Sequence, residues 1–485
     1  MKIGSFEFAP DHKSALPIVR QLSNGLRKAI IAGQIEPNTV LPSVREIASQ
    51  LFISRSTAAR AIEELAAQGY VVSELGSGTR VAAILPGEMF DRAATTLHQV
   101  VERPPQLSEF GKYCSLAAGT ISEGPRNYPI LSESPIKTFR ELLLAEFRLS
   151  HADLKEYKPD PFGYPPLREA VASYLIRARA VKVTKERLII FSSRNLRVDL
   201  IANLLLDPGE LVVVEEPGFF FARNQFITAG CKIMPIPVDS EGLQVDKLSA
   251  VKEKIKLIYV TPSHQEPTGA VLSIARRRQL LDFAKHNGAY IIEDDYDSEY
   301  RYNGRPFPSL QGMDNGSNII HLSCFWQVLG PISRLSFMVI PELLVEPFKA
   351  AKNLVEKDVS YIEQAALSEF INQGHLQKLI RKQKTRLAAR RKILVVALQQ
   401  SFRDRVYIAP ESAGLNLLVR FDNSFSPRLI AMAATASGLN IDDTAVHYFR
   451  QPRSLEYTIF FSSMSVNELT IRVNLFTEFL LSKMN

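Results

Sequence analysis

The sequence has no uninterrupted apolar run near the ~20 residues that a membrane-spanning helix needs. It also lacks the charged start and apolar core of a signal peptide. Its three cysteines, Cys114, Cys231 and Cys324, are widely separated, and neither they nor the histidines show metal-ligand spacing. We therefore expect a cytoplasmic protein with reduced thiols and no metal site.

The length and composition are those of a globular protein with more than one domain. The 485 residues suggest two or three domains, since a domain usually has about 100 to 200 residues. The apolar fraction of 46% and the charged fraction of 22% are ordinary values. The net charge of +7 and the pI near 9.1 are compatible with a polyanionic partner, but they do not identify one.

Three helices are predicted between about residues 18 and 68. In the first helix, apolar side chains recur every four positions, at Ile18, Leu22, Leu26 and Ile30. Ser43 and Glu46 have the spacing of a capping box that opens a second helix. Ser54 can cap a third helix that continues to about Gln68. Two short helices separated by a tight turn indicate a helix-turn-helix.

The third helix and the segment after it have the features of a DNA reader. Arg55 and Arg60 point outward near the helix N-terminus, which is the end that enters the major groove. Residues 70–72 and 80–82 are predicted to be strands, joined by a glycine-containing turn at 76–79 that would form a wing. From these patterns alone, a small helical protein-interaction domain is an equally good interpretation.

Several motifs in this region occur in a characteristic order and together resemble the GntR-type winged helix. They are residues 41–48, 54–61, 69–70 and 76–82. The resemblance implies binding to double-stranded DNA through residues in both helices and at the wing tip: Arg45, Arg55, Thr57, Arg60, Gly78 and Thr79. Asn38 stands where that family commonly has glycine, and asparagine also tolerates a left-handed turn.

The rest of the chain is predicted to be a linker and one large α/β domain. Residues 1–82 form the reader, the proline-containing stretch 83–112 the linker, and 113–485 the large domain. Short apolar runs alternate with helical stretches in the large domain, which favours a mostly parallel sheet covered on both faces: 188–191, 211–214, 257–260 and 290–292. Ligands of such sheets bind beyond the carboxyl ends of the strands.

Five motifs in the large domain resemble, in the same order, those of the fold type I aminotransferase-like domain of MocR regulators. They are residues 160–170, 216–219, 261–269, 293–302 and 321–337. The resemblance implies a homodimer and a pocket for pyridoxal phosphate. Asp294 would pair with the pyridine nitrogen, Tyr296 with the ring hydroxyl, and Phe219 would stack on the ring. Taken singly, Asp294 also fits a structural ion pair, and Phe219 an ordinary core position.

The phosphate end of the implied pocket consists of a turn and an arginine. Ser193, Arg194 and Asn195 occupy the strand-to-helix turn whose backbone N–H groups hold phosphate in the family. Arg334 matches the phosphate arginine, whose forked guanidinium suits phosphate geometry.

Several departures from the family pattern fall on this pocket. Gln327 stands in the position of the lysine that forms the Schiff base, and a carboxamide nitrogen is not nucleophilic enough to replace it. Trp326 replaces a small serine, Glu266 adds a carboxylate beside the ring, and Arg194 adds a cation to the phosphate turn. Thr458 replaces the arginine that clamps a substrate carboxylate. The domain is therefore expected to be catalytically inactive and to bind pyridoxal phosphate only noncovalently, if it binds it.

The sequence thus predicts a DNA-binding transcriptional regulator with an aminotransferase-like domain for dimerisation and small-molecule sensing. We expect a phosphorylated or anionic effector around Arg194, Asp294 and Arg334. Two alternatives stay open at this point. One is a working pyridoxal phosphate-dependent aminotransferase, and the other is a regulator whose large domain is purely structural.

Overall fold

A computed structural model of the protein describes residues 1–3, 6–11, 14, 16–74, 78–83, 106–117, 128–148, 158–302, 307–314, 318–410 and 413–483. The chain divides into two compact units, Met1–Leu107 and Ser108–Asn485. This division falls within the stretch 83–112 that the sequence predicts to be a linker, most of which lies outside the described residues.

The first unit contains three helices and two small hairpins. The helices are α1 (Ile18–Ile31), α2 (Val44–Leu51) and α3 (Arg55–Ala67). The strands are β1 (Lys2–Ile3), β2 (Phe6–Glu7), β3 (Val71–Glu74) and β4 (Gly78–Val81).

The start of each helix of the helix-turn-helix is fixed by a local cap, as the sequence predicts. Ser43 Oγ accepts from the Glu46 N–H at 3.2 Å, and Glu46 Oε2 accepts from the Ser43 N–H at 2.8 Å. Ser54 Oγ accepts from the Thr57 N–H at 3.1 Å at the start of α3. The caps satisfy N–H groups that have no partner inside the helix.

The predicted wing forms, with different strand ends. β3 and β4 are antiparallel, with Ser73 opposite Thr79. Gly78 and Thr79 therefore lie inside β4 rather than in a turn, and the predicted turn residues 76–77 are outside the described residues. Asn38 has a φ of 66°, as expected for a residue in the place of glycine.

The second unit is built on an eight-stranded sheet in the order β5-β12-β11-β10-β9-β6-β7-β8. Neighbouring strands from β11 to β7 are parallel, whereas β12 and β8 run antiparallel to their neighbours. The strands are β5 (Leu188–Phe191), β6 (Leu211–Glu216), β7 (Lys232–Asp239), β8 (Gly242–Leu243), β9 (Ile255–Val260), β10 (Tyr290–Asp294), β11 (Ile319–Cys324) and β12 (Ser336–Val339).

The helices from Glu109 to Asn372 lie before, between and after the strands of the eight-stranded sheet in the chain. They are α4 (Glu109–Ala117), α5 (Glu133–Glu146), α6 (Pro165–Arg179), α7 (Arg194–Leu205), α8 (Phe220–Thr228), α9 (Ile274–Asn287), α10 (Leu310–Met313), α11 (Trp326–Leu329), α12 (Val345–Val355) and α13 (Tyr361–Asn372).

Both faces of the sheet are buried, which confirms the predicted covered, mostly parallel sheet. Alternate residues of β9 show this, because successive side chains of a strand point to opposite faces. Leu257 belongs to the same apolar cluster as Phe226 of α8, whereas Ile258 belongs to a separate cluster with Leu280 of α9. Burial on both faces explains why these strands are continuously apolar in sequence.

The C-terminal part of the second unit forms a smaller antiparallel sheet with three helices. Its strand order is β13-β14-β16-β15. The elements are α14 (His375–Phe402), β13 (Val406–Ile408), β14 (Asn416–Phe421), α15 (Pro427–Ser437), β15 (Ile441–Asp443), β16 (Glu456–Phe460) and α16 (Val466–Ser482). In the described part of the chain, no helix is long and apolar enough to cross a membrane.

Candidate functional site

A polar cavity of about 50 Å³ lies at the carboxyl ends of the parallel strands, with room for a few water molecules. Each lining residue ends a strand or follows one by at most six positions, so the sheet itself brings them together. The lining residues are Arg194, Phe219, Glu266, Asp294, Tyr296 and Gln327.

Asp294 is the last residue of β10, and only one of its two carboxylate oxygens accepts a hydrogen bond from the described residues. Its Oδ2 accepts from the Tyr259 hydroxyl at 2.5 Å. Its Oδ1 is buried and has no hydrogen-bond partner among the described residues. A buried carboxylate oxygen without a donor is costly, so Asp294 favours a cation or a hydrogen-bond donor in the cavity.

Arg194 begins α7 and places a cation in the same cavity. Its guanidinium carbon lies 4.5 Å from the centroid of the Phe219 ring, in cation–π contact. Burial alone would lower the pKa of Arg194, but the acidic groups around it, including Cys324 and Asp294, raise it above its ordinary value. Arg194 is therefore a permanently charged group.

Gln327 lies in the short helix α11, three residues after β11. Its side-chain oxygen accepts from the Cys324 thiol at 2.8 Å, and its backbone carbonyl accepts from the Tyr300 hydroxyl at 3.1 Å. Gln327 is 2% exposed. The amide is thus held in the cavity wall at the position that the resemblance gives to the lysine.

A buried polar chain, which the sequence did not indicate as a unit, reaches the cavity through Tyr296. His264 Nδ1 lies 3.0 Å from the Tyr296 hydroxyl and 2.9 Å from Asp297 Oδ2. Burial, followed by the charges of Asp297 and Glu266, raises the pKa of Tyr296 well above its ordinary value. Tyr296 therefore stays a neutral phenol that hydrogen-bonds to Glu266. The only sequence signal was that His264 and Asp297 lie in motifs flanking the pocket.

The predicted phosphate residues do not all reach this cavity. Arg334 is exposed, and its guanidinium carbon lies 5.5 Å from the centroid of the Trp326 ring. Neither Arg334 nor Trp326 is among the lining residues. Ser193 and Asn195 are also outside the lining, with the Ser193 hydroxyl accepting from the Asn195 N–H at 3.4 Å.

Thr458, which replaces the carboxylate-binding arginine of the family pattern, lies in β16 and is 3% exposed. Its Oγ1 is buried and has no partner among the described residues. A neutral, buried hydroxyl cannot neutralise a substrate carboxylate as the arginine of the family does. Within the described residues there is also no cluster of His, Cys, Asp or Glu that could hold a metal ion.

The predicted DNA-contacting residues lie in the helix-turn-helix and the wing of the first unit. Arg45 of α2 and Arg55 and Arg60 of α3 are exposed, and none of them forms an ion pair within the described part of the chain. Thr57 is half-buried, with its Oγ1 2.7 Å from Ser54 Oγ. Exposed arginines without acidic partners are available to phosphates and base edges.

The wing strand β4 carries both predicted wing residues and one that the sequence reasoning missed. Gly78 is exposed, and Thr79 is half-buried with its Oγ1 2.9 Å from Ser73 Oγ. Arg80, next along the strand, is exposed and adds a cation to the wing. Arg80 lies in a predicted strand and in the motif 76–82, but neither feature marked it as a DNA contact.

Comparison with known proteins identifies both units. Residues 18–81 match the model of the bacterial regulatory proteins of the gntR family, and residues 121–456 match aminotransferase class I and II. The chain is 33% identical to the probable rhizopine catabolism regulatory protein MocR of Rhizobium meliloti, over 91% of this chain and 89% of that protein. It is 26% identical to the pyridoxine biosynthesis transcriptional regulator PdxR of Corynebacterium glutamicum, over 96% and 95% of the two chains.

Among solved structures, the fold is similar to that of the kynurenine aminotransferase of Pyrococcus horikoshii. The TM-score is 0.67 at 21% identity, covering 81% of this chain and 100% of that one. The fold and the matched families define a helix-turn-helix transcriptional regulator with a GntR-type winged helix and an aminotransferase-like domain. Within that class, the chain belongs to the MocR family.

The residues around the cavity do not fit pyridoxal phosphate in this arrangement. Asp294 Oδ1 suits a protonated pyridine nitrogen. However, the Phe219 ring on which the cofactor would stack is already in contact with Arg194. Gln327 supplies no amine, and Arg334 lies outside the lining.

Proposed function

We propose that this regulator binds duplex DNA as a cytoplasmic homodimer, and that its second unit binds a small molecule noncovalently without carrying out aminotransferase chemistry. The observation that carries the second part of the proposal, the absence of aminotransferase chemistry, is Gln327, which is held in the cavity wall where an aminotransferase needs a lysine. Its amide lone pair is delocalised into the carbonyl, so it cannot attack an aldehyde carbon. The match of residues 18–81 to the gntR family supports the DNA-binding part.

The surroundings of Gln327 support loss of the enzymatic reaction. The thiol of Cys324 donates to the Gln327 side-chain oxygen, so the amide has a defined partner. Thr458 offers no charge for a substrate carboxylate. Transamination would therefore lack both its nucleophile and its positioning cation. Turnover of an amino donor and a 2-oxo acid in the presence of pyridoxal phosphate would contradict this part of the proposal.

The cavity supports a small effector that combines an anionic group for Arg194, which can be a phosphate, with a hydrogen-bond donor for the Asp294 oxygen that has no partner among the described residues. Arg194 is the cation that faces the cavity, and the Gln327 amide and the Tyr296 phenol are polar groups that can orient a ligand. Arg334 is not part of the lining, so the proposal relies on Arg194 rather than on a pair of arginines. For regulation, such a ligand must bind two arrangements of the regulator with different affinity.

Binding to DNA is tested at Arg60 of α3. Duplexes selected from a random pool would be measured by fluorescence anisotropy with wild type and Arg60→Ala. We expect Arg60→Ala to weaken binding by about 1 to 3 kcal/mol, because an arginine that reads a base contributes that much to discrimination. A homodimer should protect two half-sites in the selected duplexes.

The matched control is Arg428→Ala, which removes an exposed arginine from α15 of the second unit. It lowers the net charge by one, as Arg60→Ala does. A difference in affinity between the two variants therefore reports where the arginine lies and not the total charge. Equal affinities of Arg60→Ala and Arg428→Ala would remove Arg60 from the reading residues. A monomeric mass in sedimentation equilibrium would contradict the homodimer.

The effector proposal is tested separately with inorganic phosphate, glycerol 3-phosphate and succinate as probes. A ligand of the folded state raises the unfolding midpoint in proportion to its occupancy. We expect at least one of these anions to raise the midpoint and to change the affinity for the selected duplex. If none does either, the second unit is better described as a structural dimerisation domain.

A further inference from the structure

The face of the Phe219 ring is covered by a side chain of the same unit. The guanidinium carbon of Arg194 lies 4.5 Å from the ring centroid, close to the distance at which a flat heterocycle would stack. A planar guanidinium and a pyridine ring compete for the same π-face. In this structure a ligand ring can therefore stack on this face of Phe219 only if Arg194 moves away.

The charge of Arg194 also offsets part of the negative charge around the cavity. Asp294 and Glu266 place two carboxylates around a space of about 50 Å³, and Arg194 is the cation among the lining residues. A pyridoxal cofactor would bring a protonated ring nitrogen to Asp294. The guanidinium brings one positive charge to the same cavity without a cofactor.

The neighbours of Arg194 hold its helix end in place. Arg194 begins α7, and its backbone carbonyl accepts from Arg197 Nε at 3.1 Å. Arg197 in turn donates to the Phe337 carbonyl at 3.0 Å and to the carbonyl of Ser323. The start of α7, which carries Arg194 at the cavity, is thereby tied to two strands of the sheet.

We propose that Arg194 is a built-in substitute for the cofactor ring, which closes one face of Phe219 and selects against pyridoxal phosphate in favour of a smaller ligand without an aromatic ring. This inference rests on the proposed function only in taking the cavity as the ligand site. It concerns the size and class of the ligand, and it holds whether or not the ligand controls DNA binding.

The test uses the full-length protein and 4′-deoxypyridoxine 5′-phosphate, which has the ring and the phosphate of the cofactor. It has no aldehyde, so surface lysines cannot capture it. Equilibrium dialysis would compare wild type, Arg194→Ala and Arg194→Gln. The second variant, Arg194→Gln, has a shorter, uncharged side chain that can still form hydrogen bonds. Arg278→Ala, which removes an exposed arginine from α9, is the matched control.

We expect Arg194→Ala and Arg194→Gln to bind the probe at least about 10-fold more tightly than wild type, because no cation–π contact has to be broken. Arg278→Ala should bind like wild type. Far-ultraviolet circular dichroism and urea unfolding followed through Trp326, which lies in the second unit, would show that each variant is folded. If Arg194→Ala does not fold, Arg194→Gln carries the comparison.

Two outcomes would overturn the inference. One is that wild type binds the probe as tightly as the Arg194 variants, and the other is that none of these proteins binds it. Neither outcome bears on the phosphate, glycerol 3-phosphate and succinate measurements, which test the effector proposal directly. Failure of those anions to bind would likewise leave the comparison at Arg194 intact.

Discussion

The buried carboxyl of Glu215 in β6 should make the stability of the second unit depend on pH. Its Oε2 accepts from the Thr261 N–H at 3.1 Å and from the Thr261 hydroxyl at 2.5 Å. Burial nevertheless dominates and raises the pKa of Glu215 from 4.5 to about 7. The folded protein therefore binds a proton at Glu215 that the unfolded chain has already released.

The sign follows from proton linkage. A group whose pKa is higher in the folded state stabilises the fold at low pH, and that stabilisation is lost as the pH rises from about 4.5 to about 7. At about 1.4 kcal/mol per pH unit, the loss at Glu215 is about 3 kcal/mol. Glu299 has a pKa of about 7 for the same reason, burial, so it contributes in the same direction.

The perturbation is Glu215→Gln, which is neutral at every pH. Urea unfolding of wild type and variant would be followed between pH 5 and pH 8 through the fluorescence of Trp326, the single tryptophan, which lies in the second unit. We expect wild type to lose about 3 kcal/mol more than the variant over this range. A constant offset between the two proteins, with equal slopes against pH, would refute the reasoning. The comparison of slopes is unaffected by any fixed cost of the substitution.

Two further predictions concern the caps and the buried ion pairs. Ser43→Ala removes the capping box of α2 and should cost about 1 kcal/mol, seen as faster amide exchange in α2, while Ser43→Thr keeps the cap and should change little. Arg179→Met removes the bidentate partner of Asp295, whose oxygens accept from the guanidinium at 2.7 and 2.9 Å. It should lower the free energy of unfolding by about 3 to 5 kcal/mol, and Arg179→Met with Asp295→Asn should recover part of the loss in the same Trp326 measurement.

The parts of the fold that depend on local sequence could be predicted. The caps at Ser43 and Ser54 act over three residues, so the starts of α2 and α3 follow from the residue types alone. The ends of the wing strands depend on pairing between two segments of the chain. The observed ends therefore differ from the predicted ones. Thr79 pairs with Ser73, and Arg80 forms a bridge with Val40, so β4 begins two residues earlier than the apolar pattern indicated.

The candidate site could be predicted as a set of positions but not as a geometry. The carboxyl ends of parallel strands meet at one edge, so Asp294, Gln327 and Phe219 had to lie near one another. The direction of a long side chain is decided by its neighbours, which are distant in sequence. Arg334 lies over Trp326 and away from the cavity, whereas Arg194 lies over Phe219 inside it. The sequence indicated that both arginines would serve a phosphate and could not distinguish their roles.

The positions of Arg194 and Gln327 are best understood together. A carboxylate such as Asp294, 4% exposed, is stable only with a compensating charge or donor. In a pyridoxal enzyme the lysine holds the cofactor, and the protonated cofactor ring supplies that charge. With glutamine at 327 the cofactor has no covalent attachment, and the carboxylates of Asp294 and Glu266 need another cation. Arg194 supplies one from the first turn of α7, over one face of the Phe219 ring. The cavity thereby has a cation beside its two carboxylates without a cofactor, and its polar lining is suited to a small ligand that carries both an acceptor and a donor.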